Sequence, residues 1–206
     1  KEEQKQIETY ISEYFHLELS VFNDYCQIGE NESHLAYLIR NDLVEEFITY
    51  INRTNISLRS KIPKSLFDTN HFLHNKQPTL IEYSAFYGSI QIFQYLRLNN
   101  VELNPSLWLY TIHGKNPEMI HLLEENHIKP ANEKYESCLE ESVKCHHNDI
   151  ANYINENLFK KLQRAEVSIN HKNFGLKINH IRDVISFCLT YFNYYFLQDD
   201  FNSFLS

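Results

Sequence analysis

Residues Thr79 to Asn104 read TLIEYSAFYGSIQIFQYLRLNNVELN, and this stretch decides the fold. Leu80, Ile81, Ser84 and Ala85 recur at the i, i+1, i+4, i+5 spacing that gives a helix one buried stripe. Gly88-Ser89 interrupts the pattern, and Ile92, Phe93 and Leu96 resume it. Asn99-Asn100 ends the second run, and an extended Val101-Glu102-Leu103 follows. Two short amphipathic helices joined by a tight turn predict an antiparallel helical hairpin.

The unit recurs, and self-similarity at intervals of a few tens of residues is the signature of a repeat stack. Second helices are expected to begin at Asp42-Leu43-Val44, Gln91-Ile92-Phe93, Glu118-Met119-Ile120 and Asp149-Ile150-Ala151. Each follows a turn or cap residue, namely Asn41, Ser89, Asn116 and Asn148. Pro117 takes the first helical position of the third copy, where its fixed φ suits a helix start. An acidic residue in the first turn also favours the helix dipole. Leu43, Ile92, Met119 and Ile150 align as the anchors of these helices. A looser fifth copy follows, in which Val184-Ile185 and Cys188-Leu189 repeat Leu80-Ile81 and Ser84-Ala85. The uneven steps between copies predict two insertions. One is a polar connector over 55–78 holding a short helix from Pro63 to Asp68, and the other spans 159–182. Residues 2–24 predict one more helix, apolar on Ile7, Ile11, Tyr14, Phe15 and Phe22, closing the end of the stack against water.

Composition narrows the function classes. The 206 residues carry 27 Asp+Glu against 19 Lys+Arg, a formal net charge of −8, which argues against general nucleic-acid binding. No apolar run approaches ~18 residues, so no membrane-spanning helix is expected. Lys1 to Glu8 is charged with no apolar stretch behind it, so no signal peptide is expected. A first residue other than Met predicts a piece of a longer chain. Cys26, Cys138, Cys145 and Cys188 are few and irregularly spaced, which reads as free thiols in a reducing, intracellular compartment, cytoplasmic or nuclear. Four Gly and 5 Pro are a poor supply of turn formers, and the 22 Asn are expected to take over turns and caps.

The unit resembles the ankyrin repeat, whose pattern runs Thr-Pro-Leu-His, two small residues, Gly-His, an Ile-Val/Leu-Leu helix and Gly-Ala-Asp-Val-Asn. Thr79, Ile81, Ala85, Gly88, Ile92, Leu96, Val101, Leu103 and Asn104 match it, while Leu80, Glu82 and Asn100 replace the family's Pro, His and loop Gly. The phrases PTLIEYSAFYGSIQIF, SLWLYTIHG and CHHNDIANYI look closer to an Asn- and Ile-rich ankyrin-like domain of unknown function, expanded in trichomonad and related protists. In that group the region typically precedes more regular ankyrin repeats, which agrees with Ser206 not being a natural end. The resemblance implies an all-α, ankyrin-like helical-hairpin solenoid over 1–206. Its expected layout is an N-terminal cap at 1–33, repeats at 34–54, 79–104, 105–130, 132–158 and 183–206, and insertions at 55–78 and 159–182.

The resemblance also implies a concave groove lined by the last turn of each first helix. Carried over position by position, those residues are Tyr37 and Leu38, Phe86 and Tyr87, His113 and Gly114, Lys144 and Cys145, and Thr190 and Tyr191. Tyr37, Leu38, Phe86, Tyr87, His113, Lys144, Thr190 and Tyr191 are the candidate partner-binding residues, since aromatic anchors dominate binding hot spots. They read as well as packing that fills gaps between poorly matched repeats. Trp108 is expected in the core, with a hot spot near the groove as the other reading. Cys138 and Cys145 share a helix face beside His146 and His147, but zinc needs four convergent ligands and the two histidines fall in a turn, so a capping role is expected. A cysteine nucleophile needs a His base and an orienting group, and no nucleophile elbow or Gly-rich phosphate loop is present. The basic insertion (six Lys/Arg against Glu166) and the acidic stretch 118–141 (seven Glu against two Lys) read as solvated faces or as segments that attract each other or a partner.

The reading that results is a non-catalytic, monomeric protein–protein interaction module with no cofactor, no metal and a protein partner. The alternative is a capping or spacer segment of a longer ankyrin-repeat protein. A binder should expose its groove aromatics, whereas a cap should bury Phe86, Tyr87 and Tyr191. A thiol- or metal-dependent enzyme is the third reading, and it requires Cys145 within reach of a His or a carboxylate.

Overall fold

Each helix of the Thr79–Asn104 stretch starts and stops on a local signal. In the computed structural model of the chain, Thr79 and Glu82 form a reciprocal capping box at the start of α6 (Leu80–Tyr87), and Gly88 ends that helix in the left-handed conformation at φ 68. Ser89 then precedes α7 (Ile90–Leu98). The structure describes residues 2–159 apart from 75 and 132–134. The fifth copy, with Thr190 and Tyr191, and the basic insertion from 160 onward lie outside the described residues.

Among the described residues the protein is all-α, with one isolated bridge, Lys61 to Thr79, and no strand. An N-terminal pair, α1 (Glu2–Phe15) and α2 (Leu19–Ile28), precedes α3 (His34–Arg40) and α4 (Val44–Thr54). The connector carries the short α5 (His71–His74). After α6 and α7 come α8 (Leu107–Gly114), α9 (Pro117–Glu125), α10 (Glu136–Lys144) and α11 (Asn148–Tyr153), the last running into a π-helical turn at Ile154–Phe159. α3 pairs with α4, α6 with α7, α8 with α9 and α10 with α11, while the first helices pack on one another in the order α3, α6, α8, α10. One continuous apolar core runs through all four hairpins, from Leu35 to Ile154.

The same turn closes every hairpin. Asp42, Gly88, Lys115 and His146 all have positive φ, between 50 and 68. In three of the four copies the next residue's N–H reaches the carbonyl five residues back: Leu43 to Leu38, Ser89 to Ser84 and His147 to Ser142. This is the six-to-one bond of a Schellman motif, which satisfies a carbonyl that the helix end would leave orphaned. Counted from these turns, the register of the array is unambiguous. The fourth residue before each is Leu38, Ser84, Thr111 or Ser142, the third is Ile39, Ala85, Ile112 or Val143, and all eight are buried. The fifth residue after each is Phe47, Phe93, Ile120 or Ala151, and these are buried too.

That register corrects the sequence alignment of the first copy by three residues. Leu43 is the residue that precedes α4, and the position equivalent to Ile92 is Glu46, which is exposed. The misplacement arose because Asp42-Leu43 looks like the Asp-Ile of a helix start, whereas Asp42 is the left-handed turn residue. The turn residues equivalent to Gly88 are likewise Asp42, Lys115 and His146, not the neighbouring Asn41, Asn116 and Asn148. Asn does take over at the hairpin exits, where Asn55 and Asn100 have positive φ alongside His127.

Two further expectations are overturned. The N-terminal helix is two helices, broken at His16 (φ 53), and Ile7 is exposed although Ile11 is buried. The helix expected at 63–68 is absent: Ser65 Oγ accepts from the amides of Phe67 and Asp68 in a local turn, and the short helix comes later, capped by Asn70 Oδ1. The connector is less polar than it reads, because Ile62, Phe67 and Leu73 are buried. It is pinned at its exit by Ile62 N–H to Pro78 O and Leu80 N–H to Ser60 O. Phe67 ties it to α2 by packing against Phe22 and Tyr25.

Candidate functional site

The turns form a ladder across the hairpins, and the groove positions stand beside it. Ser89 Oγ donates to the Ile39 carbonyl of the preceding copy, and His147 Nδ1 lies 2.8 Å from the Ile112 carbonyl. Asp42 reaches the other way: its carboxylate accepts from the amides of Gln91 and Ile92 at 3.0 and 2.9 Å, capping α7 from the neighbouring hairpin. These bonds hold the C-terminal ends of the first helices side by side. The approach is closest at Gly114, where a Cβ would overlap the Phe86 carbonyl oxygen.

The position two residues before each turn residue, where the predicted groove column falls, holds Arg40, Phe86, His113 and Lys144. Each is engaged within the chain. Arg40 Nε pairs with Glu30 at 2.9 Å, and its Nη1 donates to the Asn31 carbonyl at 2.7 Å. Phe86 is 8% exposed because Phe72 of the connector stacks on it, with ring centroids 6.0 Å apart and planes 8° apart. The same Phe72 ring stacks on His113 at 3.7 Å and meets Tyr110 edge-on at 5.0 Å. Lys76 Nζ stands 4.0 Å from the Phe72 ring centroid, in cation–π range. The connector thus seats its own aromatic side chain against the last turns of α6 and α8.

The other candidate residues are dispersed. Leu38, expected to meet a partner, is 0% exposed and belongs to the core, because the first-copy register was three residues early. The corrected equivalents of Phe86 and Tyr87 are Arg40 and Asn41. Tyr37 is 48% exposed, stacked on His34 at 6.2 Å. Tyr87 is half-buried against Tyr83 and Phe86, and burial holds its hydroxyl well above the usual tyrosine range. Trp108 is fully buried and donates from Nε1 to the Ile128 carbonyl at 2.8 Å, so its place is the core.

The structure brings together one constellation that spacing along the chain does not reveal. His113 Nε2 lies 2.9 Å from Glu141 Oε1, and Lys144 Nζ lies 3.4 Å from Glu141 Oε2. Cys145 Sγ lies 3.6 and 3.8 Å from the two His113 ring nitrogens. Near-equal distances mean that the sulfur is not aimed along one nitrogen's lone pair, as direct proton transfer would require. The hydrogen bond from His113, then Lys144, holds the Glu141 carboxyl below the usual carboxylate range. Burial, then the Glu141 charge, pushes the Cys145 thiol up to about 11. A helix C-terminus adds negative potential at that sulfur, the reverse of what activates a thiolate. Cys145 therefore meets the distance requirement of a thiol nucleophile and lacks its electrostatics. Cys138 is buried, its thiol pushed up to about 12, and His146 and His147 serve the turn.

The i, i+4 spacing of Glu141 and Cys145 was a usable signal, since such residues share a helix face. His113 could be added only with the register of the stack in hand. Comparison with protein-family models, with curated proteins and with solved structures finds no match to this chain. No helix among the described residues is long and apolar enough to cross a membrane.

Proposed function

We propose that the chain is an ankyrin-like helical-repeat module whose work is non-catalytic protein–protein interaction. The observation that carries this reading is the array of four hairpins closed by one repeated turn and locked to one another through those turns. Such a stack offers a rigid, extended face, and preorganisation lowers what a binder loses on ordering. Tyr37, off the corrected groove register, and Tyr87, on it, are the candidate aromatics left with accessible surface. The thiol reading is disfavoured by the protonated state of Cys145.

A second reading, a capping or spacer segment of a longer array, is favoured by the burial of Phe86 beneath Phe72. The two separate in one experiment. The full chain and a Tyr37→Ala, Tyr87→Ala variant are used as affinity baits, with thermal unfolding confirming that both are folded. Interaction partners lost from the variant support the binding module. Identical partner lists overturn it in favour of the spacer.

A further inference from the structure

Two helix C-termini meet where His113, Glu141 and Cys145 converge. His113 lies in the last turn of α8, Glu141 in the last turn of α10, and Cys145 is the residue that ends α10. The aligned peptide dipoles give each helix end a partial negative charge, so the place favours a cation. Three ligand atoms of different chemistry, an imidazole nitrogen, a carboxylate oxygen and a sulfur, lie there within 4.8 Å of one another.

We propose that His113, Glu141 and Cys145 bind a single Zn²⁺ ion, leaving the fourth tetrahedral position to water. Zinc takes nitrogen and oxygen at about 2.0–2.2 Å and sulfur at about 2.3 Å, which sets ligand atoms roughly 3.3–3.6 Å apart. The observed separations, 2.9 Å from His113 Nε2 to Glu141, 3.8 Å to Cys145 and none above 4.8 Å, lie on either side of that spacing. Side-chain adjustments on the order of 1 Å seat the ion. A set containing a thiolate and an imidazole selects zinc over magnesium or calcium, which prefer oxygen throughout.

Two of the three ligands are already held by neighbours. Phe72 stacks on the His113 ring and fixes its plane. Lys144 holds Glu141 Oε2, leaving Oε1 for the metal. Metal ligands held by such neighbours lose less freedom on binding. Binding breaks the Cys145 S–H bond, forms the sulfur–zinc bond and releases the proton to water. The Nε2 proton that bonds Glu141 leaves to water and Nδ1 carries the ring's one proton, so His113 ligates as the neutral ring through Nε2 and the hydrogen bond to Glu141 is exchanged for two metal bonds. The ion would clamp the third hairpin to the fourth, a role independent of any protein partner.

The test uses the full chain stripped of metal, titrated with Zn²⁺ under chelator competition, and separately with Co²⁺ as a spectroscopic probe of thiolate ligation. The expected result is uptake of one equivalent, with a thiolate-to-cobalt charge-transfer band. Cys145→Ser should abolish the band and weaken zinc binding by about tenfold or more, as should His113→Ala for the affinity. Cys26→Ser, at an exposed thiol, should change neither. Glu141→Gln keeps the local shape, and circular dichroism of each variant separates loss of a ligand from loss of the fold. No zinc uptake by the wild-type chain, or uptake unchanged by both Cys145→Ser and Glu141→Gln in folded protein, overturns the proposal.

Discussion

At the residue scale the turn positions carry most of the information. Asp42 has two tasks, a left-handed turn conformation at φ 50 and a carboxylate that caps α7 of the next hairpin. Asn tolerates left-handed geometry and keeps an acceptor, whereas Ala does neither. Asp42→Ala should therefore lower unfolding free energy by about 2 kcal/mol and Asp42→Asn by less than about 1 kcal/mol in urea titrations. An equal loss from both would sink the double role. Thr111 shares a buried position with Ser84 and Ser142, whose hydroxyls donate to the carbonyls four residues back. Among the described residues Thr111 Oγ1 has no such partner. Thr111→Val should hold or raise stability by about 1 kcal/mol, because a buried hydroxyl without a bond is a penalty. A clear loss would reveal a hidden partner. His147 sits between two hairpins, and burial is the main cause that holds its ring below the ordinary value of 6.5. A depressed histidine means that the unfolded chain takes up the proton first, so stability present above about pH 6.5 is lost as pH falls. Glu141, also depressed, adds loss in a lower window, below its ordinary 4.5. Replacing His147 with Gln should flatten the stability profile between about pH 7 and 5.5 and leave the lower window in place. A profile unchanged in the upper window contradicts this assignment.

At the element scale the connector is the departure from a plain repeat. It lays Phe72 against Phe86, Tyr110 and His113 at once, and it buries Ile62, Phe67 and Leu73 on the way. α5 is four residues long and has no helical stability of its own, so its place depends on these contacts. Phe72→Ala should lower the unfolding free energy by about 1–2 kcal/mol while leaving helical circular dichroism nearly unchanged, since a half-buried Phe is removed from a four-residue helix. A loss above about 4 kcal/mol would mean that the connector is part of the folding core. Spacing predicts an insertion over this segment. It could not show where the insertion goes, because stacking of Phe72 on His113 joins residues far apart in the chain through the packing of α6 on α8.

At the scale of the whole molecule, the main contacts between the described hairpins join successive ones, and stability is then a sum of unit and interface terms. Ile150 is buried in the last described hairpin. Ile150→Ala removes about 2–4 kcal/mol of packing. Amides of α10 and α11 should then exchange faster with solvent, while those of α3 and α4 keep their protection. Uniform acceleration across the chain would show a single cooperative unit instead. Arg40 of the first hairpin is tied to Glu30 and Asn31, which follow α2 in the chain.

The sequence by itself determined the paired helices of the described hairpins and, from the second copy on, the buried stripe of each, because period, caps and breakers are local properties of the chain. Thr79, Glu82, Gly88 and Pro117 announce their roles without any tertiary context. The register of the first copy, the path of the connector and the meeting of His113, Glu141 and Cys145 were decided by the tertiary structure alone. Each depends on how one hairpin sits against the next, and that is set by close contacts such as Gly114 against the Phe86 carbonyl. A three-residue slip in one copy leaves the local pattern almost intact, yet it turns a core leucine, Leu38, into an apparent groove residue.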